Sequence, residues 1–500
     1  MLSQSICRVL YEHYTISILV LLLSVIVAKA VYELAINPLK RFKGPKLAAI
    51  SRIPFFYYSM TGDFNKWVSY LHMKHGEVVR VAPDELSYSV GEAWKDIYGH
   101  VATGKKPTNK DIRFYGPTFN GAPDIIRANG PDHTRFRRNF SNAFSDKALR
   151  EQQPLISRYV DMLINCLHTL ITQDPNRKLE MVRLFNLTTF DIMGDLTFGE
   201  SLDLLAGNGD ESWVTSVFAS VKANSLKRVA RYNSLMALFV GKLIPETLKA
   251  KAMSHYNSCM KRVDTRVEVS HEATRPDIWG LVLNQKQELS LSMPEMYANS
   301  QIFMLAGTET TATALSGLTY QLLMNPTKLQ IITSEIRESF QKDSDIGLVA
   351  LGQLKYLNAC IEEGLRIYPP VPVGLPRLTP EEGMIICGQH IPGKTAVSVN
   401  QWATYRSPQN FQQPNEFIPE RWISSDFSSD NKSAFQPFSL GPRNCLGKNL
   451  AYHEMRIILA KVLYHFDLTL APESIGWNEQ KVYGLWEKNT LMVQLKPRAL

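Results

Sequence analysis

The chain is poor in cysteine, with six in 500 residues (Cys7, Cys166, Cys259, Cys360, Cys387 and Cys445) and no C-x-x-C pair. That scatter excludes a disulfide framework and a zinc module, and fits a reducing compartment. Zinc-finger spacing is missing, and so is any basic stretch interleaved with aromatics. Nucleic acid is therefore a poor partner for the net charge of +8. What remains for that charge is a membrane surface, an acidic protein partner or a mildly basic solvated surface. Internal repeats, low-complexity segments and long linkers are also lacking. A length of 500 residues suggests several domains, but nothing divides the chain. One large core needing neither disulfides nor structural metals is the expectation.

Long apolar runs are absent except at the start. Residues 14–31 are nearly all apolar (ISILVLLLSVIVA), broken late by Lys29. Roughly 18 such residues just span the hydrocarbon core of a bilayer. Lys40, Arg41, Lys43 and Lys46 follow with no acid between them, whereas Arg8 before the run is offset by Glu12. The positive-inside rule then puts the bulk of the chain in the cytosol. The expected organisation is a short N-terminal segment (1–13), a transmembrane anchor (14–32), a basic Pro/Gly hinge (33–46) and a catalytic domain (47–500). The alternative is a cleaved signal peptide ending at Ala28-Lys29-Ala30. Only then would the N-x-S/T matches at Asn139, Asn186 and Asn431 matter.

Alternation in residues 77–90 predicts a short hairpin. From about 129 to 340 apolar residues recur at three- and four-residue steps, as in helices. Strand-like pieces return at 383–399 and near the C-terminus. Ser292-Met293-Pro294-Glu295 reads as a capping box with proline in the first turn. The helix it opens could run to Asn325, on the order of 50 Å. Its middle, FMLAGTETTATAL, is apolar nearly all round, so the helix is buried and the carboxylate of Glu309 inside it needs a reason. The fold class expected is mainly α with minor β sheets.

The residues best suited to chemistry are Phe438-Ser439-Leu440-Gly441-Pro442-Arg443-Asn444-Cys445-Leu446-Gly447. Gly441 and Gly447 let backbone turn tightly and approach a flat cofactor. A helix starting just after Cys445 would aim N–H groups at the sulfur and lower the thiol pKa. Arg443 can pair with a carboxylate through its planar fork. This stretch matches all five fixed positions of F-x-x-G-x-R-x-C-x-G, and here the chain resembles the cytochrome P-450 family. The resemblance implies haem b with Cys445 as axial iron ligand, and Phe438, Arg443 and Gly447 around the cofactor. Thiolate ligation favours O–O cleavage.

Three further matches follow the family's order. Glu363 and Arg366 form E-x-x-R on one helix face, and the resemblance implies burial of this pair with Arg421 of Pro419-Glu420-Arg421-Trp422. Ala306-Gly307-Thr308-Glu309-Thr310-Thr311 supplies Glu309 and Thr310 as the expected proton relay, although a Gly/Thr stretch alone also reads as close helix packing. His133 and Arg137 fit a helix that reaches a haem propionate, with Arg377 as a third partner. Tyr405-Arg406-Ser407-Pro408 departs from the usual R-D-P turn, with serine in place of aspartate.

By resemblance, electrons come from NADPH through a flavoprotein reductase, and one oxygen atom from O2 enters an apolar small molecule. The basic docking face would use Lys448, Arg456 and Lys461 with Arg135 or Arg138. Substrate contacts fall at 114–119, Ile302, Phe303, Ala306, 371–375 and 483–486. The anchor and the phrase NLTTFDIMGDLTFGE resemble microsomal fungal members of secondary metabolism, which implies a single-pass protein of the endoplasmic reticulum membrane with a cytosolic catalytic domain. Two other functions remain open: a haem-thiolate isomerase or dehydratase needing no external electrons, and a non-catalytic membrane haem-binding protein.

Overall fold

A computed structural model describes residues 2–101, 103–104, 106–232, 244–269, 277–283 and 290–498. The N-terminal helix runs Leu2–Val31. The stretch Tyr11–Ile36 is long and apolar enough to cross a membrane, and its most apolar 18 residues, of mean hydropathy 2.3, are not buried against the rest of the chain. After the helix, Glu33 is buried and paired with Arg80, whose Nη1 also donates to the Glu33 carbonyl at 3.0 Å. Leu39 and Phe42 are buried too. The segment 33–46 is thus docked onto the body at these points, while Lys40 and Lys43 face outward.

Helices dominate, and the sheets are small. The expected hairpin is Val78–Ala82 against Glu85–Tyr88, antiparallel. It continues through Ala396–Val399 and Arg377–Leu378 to Asn109–Lys110, making five strands. Met492–Pro497 lies between Lys178–Glu180 and Phe466–Leu470.

The capping box forms at Ser292, where Glu295 Oε2 accepts from the Ser292 N–H at 2.9 Å, and the long helix runs Met293–Met324. It is a central pillar packed chiefly on Met181–Phe198, Glu246–Glu268, Lys355–Ile367 and Lys448–His465. Glycines set the approach. A Cβ at Gly307 would lie 2.5 Å from the Met193 sulfur, and one at Gly317 2.2 Å from Tyr368. The packing reading of the Gly/Thr stretch therefore holds for Gly307.

The Lys355–Ile367 helix carries the ion network. Glu363 and Arg366 are wholly buried and paired at 2.7 and 2.8 Å. Arg366 spends its other hydrogens on the carbonyls of Tyr405, Pro414 and Glu416. Arg421 Nε reaches Glu363 at 3.1 Å, and Trp422 and the Ile418 amide complete the carboxylate's shell. Asp430, which the sequence did not single out, takes Arg421 Nη1. The serine turn is intact, with the Gln409 N–H donating to Ser407 Oγ at 3.3 Å.

Of the three N-x-S/T matches, Asn139 is buried and Asn186 lies within a helix packed in the core. Neither is placed to accept a glycan. Removing one partner of the buried network leaves its counter-charge stranded, at a cost of about 3–5 kcal/mol. Arg366→Ala is expected to yield protein lacking haem and melting well below the parent, and normal haem content in that variant would refute this role for the network.

Candidate active site

The loop before the Lys448–His465 helix is closed by the Cys445 N–H donating to the Phe438 carbonyl at 2.8 Å. Gly441 sits at φ +75° with its missing Cβ 2.1 Å from the Tyr98 carbonyl oxygen, so only glycine fits. Gly447 is different, because its φ is −87° and a Cβ would meet only Phe144, at 3.8 Å. Its place is in the wall of a cavity of about 290 Å³. Ala306, Gly307 and Thr310 line one side of that cavity, and Phe438, Cys445 and Leu446 another. Cys445 is exposed, but the surface it presents is to this cavity.

Burial raises the thiol pKa, outweighing the Gly447 amide, Arg137 and Lys448, which lower it. The Gly447 amide at the helix start lowers it as expected, and desolvation outweighs that contribution. A coordinated metal ion deprotonates such a thiol outright.

The cavity edge is strongly basic. His133, Arg137, Arg377 and Arg443 all line it, with Lys110, which the sequence reading missed. Arg137 donates to the carbonyl and side-chain oxygens of Asn444, and Arg443 to the Ala128 carbonyl and Asn129. Arg377 is buried with its Nη1 unpartnered. Strand register sets Lys110 directly opposite Arg377, a like-charge pairing that is unfavourable by itself. Burial and the neighbouring arginines drive the Lys110 pKa well down. Burial and the same cations push His133 to about 4. Nothing in the sequence marks Lys110, whose role comes from its strand partner.

Among the described residues, the one acid lining the cavity is Glu454. Burial raises its pKa to about 8, against a hydrogen bond with Thr311, so it is mostly protonated at neutral pH. The edge therefore holds several cations and no ionised acid, with a thiol at one wall and small residues opposite. A flat, iron-centred ligand bearing carboxylates satisfies every one of these groups. Haem fits the residues present.

A family model described as Cytochrome P450 matches residues 45–493. This chain is a cytochrome P450. Among its relatives, cytochrome P450 monooxygenase efuB of Hormonema carpetanum is 48% identical, covering 94% of both chains. Cytochrome P450 monooxygenase FUM2 of Gibberella moniliformis is 42% identical over 93% of this chain and 98% of its own. AMT3 of Alternaria alternata, also named a cytochrome P450 monooxygenase, is 41% identical over 94% and 96%.

A second cavity of about 510 Å³ adjoins the first in this P450, sharing Ile302, Ala306, Thr310, Val371 and Leu375. The anticipated segments 114–119, 371–375 and 483–486 all contribute to it. Phe303 instead lines the first cavity, packed on Phe140, and Trp486 is buried with its N–H on the Pro369 carbonyl. The sequence reading missed the wall formed by the helix Ser212–Tyr232.

Thr310 borders both cavities, its hydroxyl donating to the Ala306 carbonyl at 2.5 Å. Glu309 borders neither. Its carboxylate is buried in an ion pair with Lys488, which also donates to Thr313 at 2.8 Å. Lys488 lies 179 residues away in sequence and gave no local signal.

Glu454 supplies a pH test. The folded chain holds a proton up to about pH 8 that an unfolded carboxyl releases near pH 4.5. Its contribution to stability is whole below the lower value and lost as pH rises to the upper one. Glu454→Gln should match the parent's melting temperature near about pH 4.5 and exceed it above about pH 8. A constant difference across that range would refute the assignment.

Proposed function

We propose that this P450 is a haem-thiolate monooxygenase that inserts one atom of O2 into an apolar small molecule, as a step of fungal secondary metabolism. The observation that carries this is the joined pair of cavities, with Cys445 and a basic rim at one end and a largely apolar chamber at the other. Cys445 would ligate the iron. His133, Arg137, Arg377 and Arg443, with Lys110, would hold the propionates, and Phe438 and Gly447 would face the ring. When bound, haem supplies oxygen activation with two electrons from NADPH by way of a flavoprotein reductase.

The chain's own residues supply position and protons. Ile302, Ala306, Val371 and Leu375 present an apolar wall that keeps water from the reacting region. Thr310 Oγ1 is the hydroxyl at the junction of the cavities and is assigned the final proton donation there. Glu309 would relay a proton to it only on leaving Lys488 and taking one up. The Glu363–Arg366–Arg421 network keeps the cysteine loop in place.

The anchor at 14–32, followed by the basic hinge at 33–46, places the catalytic domain 47–500 on the cytosolic face of the endoplasmic reticulum membrane, behind a short segment 1–13. The reductase face needs free cations near Cys445. Lys461 is withdrawn from that role, being buried between Asp161 and Asp343, and Arg135 is bound to Glu295. Arg456 donates to Asn358 at 2.7 Å. Lys448 and Arg138 are exposed and form the proposed docking pair. Reversing both charges should lower reductase-supported turnover several-fold at low salt and less at high salt. Unchanged turnover at low salt would refute the patch.

The test of function compares metabolites, by accurate mass, between the source organism and a strain carrying Cys445→Ala. Accumulation of a compound lighter than the lost product by one oxygen, or by a simple oxidative equivalent, is the expected result. Precursor and product of equal mass would transfer the assignment to an electron-independent isomerase.

A further inference from the structure

The larger cavity has one wall that its apolar lining does not explain. Arg127, Lys227, Arg228 and Arg231 all border it, against Asp124 as the single carboxylate among the described residues. Asp124 is already taken by Arg127, through the side-chain pair and the Arg127 N–H. The guanidinium of Arg231 is spent on the carbonyls of Arg113, Phe114 and Asn224, at 2.8–3.3 Å. Lys227 is exposed at the rim, near the Phe119 ring.

Arg228 is left over. It is 9% exposed, lies 3.7 Å from the centre of the Phe114 ring and forms no ion pair among the described residues. Its Nε has no hydrogen-bond partner, and Nη2 reaches only Ser225 Oγ, at 3.4 Å. Nε and Nη2 share one edge of the guanidinium, the edge that grips a carboxylate with two parallel hydrogen bonds.

The acids nearest in charge are engaged elsewhere. Glu85 pairs with Arg52 at 2.8 Å and Asp111 with Arg113 at 2.9 Å. Tyr115, in the same wall, has a buried hydroxyl that is likewise unpartnered. A buried cation without a counter-ion is costly unless something that visits the site supplies one. The ring of Phe114 offsets part of that cost but gives Nε no hydrogen-bond partner.

We infer that the substrate is an apolar molecule carrying one carboxylate, which docks on the guanidinium of Arg228. Its apolar body then extends toward Ala306 and Thr310, so oxidation falls at a carbon remote from the acid group. This rests on the monooxygenase reading for the word substrate but not for the binding itself. Arg228 here is a specificity residue, since it touches the bound molecule away from the reacting atoms.

The test uses the haem-loaded full chain at neutral pH, with equilibrium binding measured by calorimetry and no reductase present. The probes are decanoate, tetradecanoate and hexadecanoate, each against its methyl ester. At least one acid should bind the parent about tenfold tighter than its ester. Arg228→Met should bring the pair within about twofold by weakening the acid alone, while Arg228→Lys should retain part of the preference. Haem content and melting temperature check folding of each variant, and Arg228→Gln replaces the methionine variant if that one fails to fold. An acid preference that survives loss of the charge overturns the inference, as does the absence of any acid preference in the parent. Turnover with NADPH and reductase on the same probes separates the two readings. Arg228-dependent binding without NADPH-dependent product would remove monooxygenation and leave the anchor, whereas product formation indifferent to Arg228 would remove the anchor alone.

Discussion

Everything in this molecule depends on holding one sulfur atom still beneath a helix that it does not touch in sequence. Cys445 sits on a loop of glycines and turns, which has little rigidity of its own. The proposed source of stiffness is Glu363, Arg366 and Arg421, all buried, each charge met by another, with the arginines also holding backbone carbonyls at 405, 412, 413, 414 and 416. Buried charges of this kind are a poor source of stability when compared with an apolar core. They are a good source of uniqueness here, because Arg366 binds carbonyls at 405, 414 and 416 that no apolar side chain could fix.

The same rule of charge compensation makes the unsatisfied groups informative. Lys110 set opposite Arg377 is unfavourable in the bare protein. It becomes reasonable when an anion lies between them, and the propionates of a haem supply that charge. Arg228, one cavity further out, poses the same problem and has no resident cofactor to solve it. Both sites hold buried guanidinium nitrogens without partners, Arg377 Nη1 and Arg228 Nε, and at both a ligand would supply the missing charge.

The acids near the cavities are placed with similar restraint. Thr310 borders both cavities, and the adjacent Glu309 faces away into Lys488, which also donates to Thr313. An ionised acid aimed at the cavity would compete for the basic rim and draw in water. Stored against Lys488, it remains next to the threonine in the chain without presenting charge to the apolar chamber. Glu454, the acid that does face the first cavity, is kept mostly neutral by burial.

Much of this was legible beforehand because it is local. The long helix begins where Ser292, Pro294 and Glu295 say it must, since capping is settled within four residues. Strand alternation gave the hairpin, and the apolar run gave a helix fit to cross a membrane. The spacing of Phe438, Gly441, Arg443, Cys445 and Gly447 named the family on its own. The sequence by itself could not say which charges have partners. Lys461 looked free and is buried between two aspartates, Glu309 looked aimed at oxygen and is held by a lysine 179 residues on, and Lys110, Arg228 and Asp430 gave no signal at all. Local hydrogen bonds and periodicity are written in neighbouring residues, whereas an ion pair depends on distance in space and on the water that folding removes. Those two quantities exist only once the tertiary structure has formed.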